Sequence, residues 1–111
     1  MTSLIVGVGQ VSLLLRFARS LKDKRHVTQS LRAKLRNRGF AVTECGYADE
    51  PKRAALGFAI VSGSEVAVHE ALDEASKLFI GDFDVVSTHR DIFDYAGEES
   101  GDFEAVENFE P

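Results

Sequence analysis

This chain is predicted to be an α+β two-layer sandwich, a four-stranded antiparallel sheet with both helices on one face. Two observations carry that expectation. Apolar segments follow one another in the order strand, helix, strand, strand, helix, strand. Charge then sorts the strands. Residues 4–15 and 55–63 hold no charged side chain, as central strands would, whereas Glu44, Asp84, Arg90 and Asp91 fall in the other two, which suits exposed edges.

Each element has its own warrant. Residues 4–17 read as a long strand, and 21–38 as a helix with Ser20 as N-cap, Asp23 in the capping-box position and Gly39 as the stop. Residues 40–47 form a second strand, 48–51 a turn, and 53–61 a third strand leading to Gly63 and Ser64, which cap the next helix. There Val68, Ala71, Leu72, Ala75 and Phe79 keep the i, i+3, i+4 spacing of a buried stripe, and Gly81 ends it. Residues 83–93 make the fourth strand. Beyond Tyr95 the chain is rich in Gly and acids without apolar periodicity, so 96–111 is expected to be a flexible acidic tail on a single domain of 1–95. The order βαββαβ is that of a ferredoxin-like unit, for which the strand order is 4-1-3-2.

The first strand is apolar on both sides: Leu4, Val6 and Val8 face one way, and Ile5, Val11, Leu13 and Leu15 the other. Two helices cover only one face of such a sheet. The open face is therefore expected to meet a partner, most simply a second copy in a homodimer.

At 111 residues the chain can build one core and not two. Its 44% hydrophobic content and mean hydropathy of -0.10 are those of an ordinary globular protein. A lone cysteine, Cys45, excludes an internal disulfide framework and a thiolate zinc cage. The apolar run 4–15 contains Gln10 and Ser12 and is too short to span a bilayer, and no basic region precedes it. A cytoplasmic protein with no membrane contact is expected.

The net charge of -5 conceals a polarity. Residues 16–38 hold nine Lys/Arg against one acid, Asp23, while 91–111 hold eight acids and no base. That asymmetry points to a basic binding face plus an acidic tail. The acidic total argues against general coating of nucleic acid but leaves a local basic face open.

The basic face falls on the first helix. On a helical wheel Leu21, Val27, Leu31 and Leu35 form the buried stripe, and Lys22, Arg25, Gln29, Arg32 and Arg36 gather opposite it. At ~1.5 Å per residue they make a cationic ridge about 20 Å long. Lys22, Lys24 and Arg25 also sit in the first turn, where the helix dipole penalises each cation by roughly 0.3–1 kcal/mol. An anion would relieve that penalty. Three readings stay open for the ridge: a solvated face, a phosphate-binding face, or a dock for the chain's own acidic tail. Lys24 falls inside the apolar sector. Its stem lies along the core with the ammonium at the rim, or it makes a specific ion pair, or it clamps an anion at the helix start.

Several constellations fail. The run Gly7-Val8-Gly9 after an apolar segment lacks the third glycine of a dinucleotide fingerprint, and its glycines are better suited to letting a helix or partner approach a central strand. The histidines at 26, 69 and 89 have no i, i+4 mate and no nearby Cys, so no metal is expected. Cys45 has no oriented base, and Asp49-Glu50 sits in a turn where carboxylates cap N–H groups. No catalytic constellation emerges, and neither an enzyme nor a cofactor is expected. Few aromatics beyond Phe58 and Tyr47 fall at predicted sheet positions, which disfavours a sheet that stacks RNA bases.

The residues that do stand out resemble a family. Gly7-Val8, the segment Ser20-Leu21-Lys22-Asp23-Lys24-Arg25-His26-Val27, Ser30-Leu31, Lys34-Leu35-Arg36, Phe40-Ala41-Val42, Glu44 and Lys52-Arg53-Ala54 before Leu56-Gly57 are similar to the YlxP-like bacterial proteins, over roughly residues 4 to 93. The resemblance implies a small ferredoxin-like cytoplasmic protein, expected as a dimer, in a setting of translation and ribosome assembly. It supplies no catalytic residues. This chain departs from it with Pro51-Lys52-Arg53 where the family often has Trp-Gln-Arg, and with the acidic tail. The expected function is that of a non-enzymatic accessory protein binding RNA or the ribosome through Lys22, Lys24, Arg25, Arg32, Arg36, Lys52 and Arg53. The alternative is an interaction homodimer whose basic helix contacts an acidic protein segment or its own tail.

Overall fold

A computed structural model describes residues 3–95, and the expected tail lies outside the described residues. The elements are β1 (Leu4–Leu14), α1 (Leu21–Asn37), β2 (Ala41–Gly46), β3 (Arg53–Ser62), α2 (Glu65–Ser76) and β4 (Asp84–Tyr95). They form one antiparallel sheet in the order β2-β3-β1-β4, the expected 4-1-3-2 read from the other edge. The fold is the ferredoxin-like α+β sandwich.

Alternation sets the two faces of β1. Ile5, Val11 and Leu13 are buried beneath the helices, while Leu4 and Val8 are exposed on the other side. Register carries that division across the sheet. Val6 faces Val61 on β3 and Phe93 on β4, and Leu4 faces Tyr95. The helix side closes over Leu15, Leu31, Leu35, Phe40, Leu56, Phe58, Val68, Leu72 and Ala75. Full burial of each large apolar side chain stabilises the fold by about 1.5–3 kcal/mol before entropy is counted. The two glycines of β1 lie on this side. A Cβ on Gly7 would stand 2.5 Å from Val68 Cγ1, and one on Gly9 would collide with the Phe58 ring. Glycine is what lets α2 and Phe58 settle onto the central strand.

The ends of the elements differ from expectation for local reasons. β1 stops at Leu14 rather than 17, because Leu15 N–H bonds Lys52 O (2.7 Å) and Ala18 N–H turns back to Leu15 O (3.2 Å). α1 ends in a Schellman arrangement: Gly39, at φ 93°, donates to Arg36 O (2.9 Å), and Phe40 donates to Leu35 O (3.1 Å). That use of Phe40 delays β2 to Ala41. α2 ends at Ser76, short of Gly81, where Lys77 and Leu78 close the last turn with shorter-range bonds to Glu74 O and Ala75 O. Phe79 nevertheless reaches Phe58, at 5.7 Å between ring centroids.

Candidate functional site

The start of α1 sets the phase of every cation that follows. Ser20 Oγ accepts from Asp23 N–H at 3.1 Å, and the Asp23 carboxylate accepts from Arg19 N–H at 2.9 Å. The capping serine behaves as expected; the acid reaches one residue further back than a capping box does. With the helix so phased, Lys22, Arg25, Gln29 and Arg36 are exposed, and Arg32 is half-buried.

The pairing of charges is selective. Arg16 pairs with Asp84, Arg38 and Lys77 with Glu74, and Arg90 with Asp73, at 2.7–3.2 Å. Among the described residues no carboxylate pairs with Lys22, Arg25, Arg32 or Arg36. Arg32 Nε is moreover buried with no acceptor among them. The Arg38 and Lys77 partners hold the Glu74 carboxyl below its ordinary range, the Lys77 hydrogen bond most strongly.

Lys24 corrects the expectation that it binds an external anion. The residue is 2% exposed. Its ammonium donates to Tyr47 O (2.7 Å), Arg53 O (3.1 Å) and, at the limit of a hydrogen bond, Ala48 O (3.5 Å). Glu44 Oε2 lies 3.1 Å away, off the line of a hydrogen bond. Burial demands a full internal set of acceptors, and the helix position inside the apolar sector supplies it. Lys24 therefore fastens α1 to the turn between β2 and β3.

Lys52 fastens the same turn from the other side. Its ammonium donates to Arg16 O (2.7 Å) and Ala18 O (2.9 Å), in the connection between β1 and α1. Most of its donors are committed to backbone, which limits it as an anion contact. Arg53 is exposed. Its guanidinium lies 5.3 Å from the Tyr47 ring centroid, with Nη1 3.5 Å from the phenol oxygen. Tyr47 is the residue that sequence reasoning passed over as part of this surface. Its position just past a strand and ahead of Asp-Glu-Pro was the available signal.

A concavity of about 280 Å³ opens between α2 and the β1–β4 pair, with Phe58, Leu72 and Phe79 among its walls. Its guanidinium, Arg90, is tied to Asp73. Among the described residues no group of three His, Cys, Asp or Glu is gathered as a metal site. No described helix is long and apolar enough to cross a membrane.

A ferredoxin-like sandwich with a cationic helix defines a class, and comparison narrows it. The model of the family described as "Protein of unknown function (DUF503)" matches residues 6–91, and the chain belongs to that family, for which YlxP-like is another name. No curated protein matches the chain. Among solved structures it is similar to a de novo designed protein, Foldit4, at 8% identity and a TM-score of 0.43, covering 85% of this chain and 99% of that one. It is also similar to a Bacillus cereus protein described as a candidate antibiotic biosynthesis monooxygenase, at 10% identity and a TM-score of 0.41, covering 87% and 97%. Nothing about chemistry follows from either likeness.

Proposed function

We propose that the protein is a cytoplasmic, non-enzymatic accessory factor that binds a polyanion, RNA or the ribosome foremost, through the exposed face of α1. One observation supports this above others. In a chain with a surplus of acids, Lys22, Arg25, Arg32 and Arg36 lack carboxylate partners among the described residues, as do Arg19, Lys34 and Arg53, whereas Arg16, Lys24, Arg38, Lys77 and Arg90 are paired. A face made for solubility intersperses both signs. A face made for phosphates keeps its cations free to displace counterions.

Affinity for ribosomes or structured RNA should therefore fall linearly in log–log plots against salt. Replacing Arg25, Arg32 and Arg36 together by Gln should flatten the slope by roughly one unit for each lost phosphate contact. Folding should survive, since the exposed charges of Arg25 and Arg36 contribute only ~0–1 kcal/mol each and the half-buried Arg32 loses no hydrogen bond among the described residues. Unchanged binding in that variant would reduce the ridge to solvated surface.

A second reading, a homodimer joined through the open sheet face, is favoured by the apolar side chains there: Leu4, Val8, Val61, Phe93 and Tyr95 are all exposed. In that reading the basic helix serves an acidic protein segment, the chain's own tail included.

A further inference from the structure

We propose that Tyr47 and Arg53 form a stacking platform for an unpaired base, so that the anionic partner is single-stranded RNA and not a duplex; this deepens the polyanion reading above and rests on it. The starting point is the backbone. Tyr47 is the one non-glycine residue with positive φ among the described residues, at 60°. Side chains rarely occupy that region, and such strain persists only where the surroundings over-determine it.

Here they do. Lys24 reaches out of α1 to hold Tyr47 O at 2.7 Å, and Lys52 grips Arg16 O and Ala18 O on the opposite flank. Two lysines thus immobilise a turn that has little core of its own. What the immobilised turn presents is Tyr47, a residue 39% exposed, with a guanidinium against its ring. The core aromatics behave otherwise: Phe40 and Phe58 meet edge to face inside the sandwich at 5.4 Å. Outside the core, the Tyr47 ring meets the Arg53 guanidinium and otherwise stays open to solvent.

A pre-set aromatic beside an arginine is the device that single-stranded binders use. Every base offers a π-face, and a fixed platform loses little entropy on binding. The anchoring of Tyr47 to Lys24 places this platform beside the first turn of α1, where Arg25, the next residue, is exposed to take an adjoining phosphate. In a duplex the bases are already stacked and out of reach, so discrimination follows from geometry.

The test exploits the chain's two tyrosines and absence of tryptophan. In a Tyr95→Phe background Tyr47 is the sole tyrosine reporter. Titration with a single-stranded RNA oligomer should quench its emission, and the equivalent duplex should not. Tyr47→Leu should weaken single-strand affinity roughly ten-fold with the salt slope unchanged, and Tyr47→Phe should restore it. Circular dichroism establishes that each variant is folded; should Tyr47→Leu unfold, the quenching and Tyr47→Phe arms decide. Equal affinity for duplex without quenching, or wild-type binding by folded Tyr47→Leu, would overturn the platform; a salt slope still flattened by the Arg-to-Gln variants would then leave the polyanion reading standing. If wild-type protein ignores RNA and binds poly-glutamate instead, the platform and the RNA reading fall together and the acidic-segment reading takes their place.

Discussion

An ammonium withdrawn from water has to recover its hydration from the protein, and Lys24 does so with backbone carbonyls more than with a carboxylate. Lys24→Met should therefore cost about 2–4 kcal/mol, because Tyr47 O and Arg53 O lose their donor along with the ion pair. Glu44→Gln should cost less, since the amide oxygen can still face the ammonium and Lys24 keeps its backbone acceptors. Urea midpoints measure both, with Lys22→Ala as the neutral control on the same turn. Glu74 gives a pH signature. Its folded-state carboxyl titrates below the ordinary value, so its contribution is present above the unfolded-state value and is lost as pH falls through the folded one. The melting temperature of Glu74→Gln should accordingly decline less than that of wild type between about pH 6 and pH 3, by a small margin because the group is solvent-exposed. Residue by residue, the sequence revealed Lys24 as anomalous but not its role. Helical phase placed it in the apolar sector, whereas its acceptors come from residues 23 to 29 positions later, a separation that no local pattern encodes.

At the scale of elements, Gly9 decides how the sheet receives its helices. Gly9→Ala should destabilise by ~1–3 kcal/mol, since the added methyl meets the rigid Phe58 ring. Phe58→Leu alone should also cost stability, yet the double variant should lose less than the sum of the two. Additive losses in denaturation would show that the methyl is accommodated elsewhere. Strand and helix order was legible throughout, because alternation and i, i+3, i+4 spacing are local signals. So were both serine caps: Ser64 Oγ accepts from Ala67 N–H at 3.2 Å, as Ser20 does from Asp23. The end of α2 was not. Val68, Ala71, Leu72, Ala75 and Phe79 continue one helical stripe, but the tightened turn at Lys77 and Leu78 delivers Phe79 to Phe58 without a further helical turn.

For the molecule as a whole, the open face of the sheet makes the oligomeric state a measurable consequence. Sedimentation at micromolar concentration should give about twice the chain mass, and Val8→Asp, on the exposed side of β1, should return it to one. A monomer in the wild type would count against the dimer reading while leaving the α1 ridge untouched. The two-sided character of β1 was readable from composition, and the strand order followed from where charges were missing. The way the turn at residues 47–53 is pinned was beyond reach, since it joins three stretches of chain.

That same β1 has a consequence for how the chain comes to be folded. Its two neighbours are both distant in sequence: Ile5 pairs with Ser62, and Leu4 with Tyr95. Contacts of such separation close late and place folding toward the slow end for a domain of this size. At roughly 5–20 residues per second, synthesis leaves some 4–16 s between completing β1 and completing β4. Throughout that interval an eleven-residue apolar strand has no second partner. The nascent chain thus carries an open apolar edge, exposed to stray strand pairing, until its last strand arrives to flank its first.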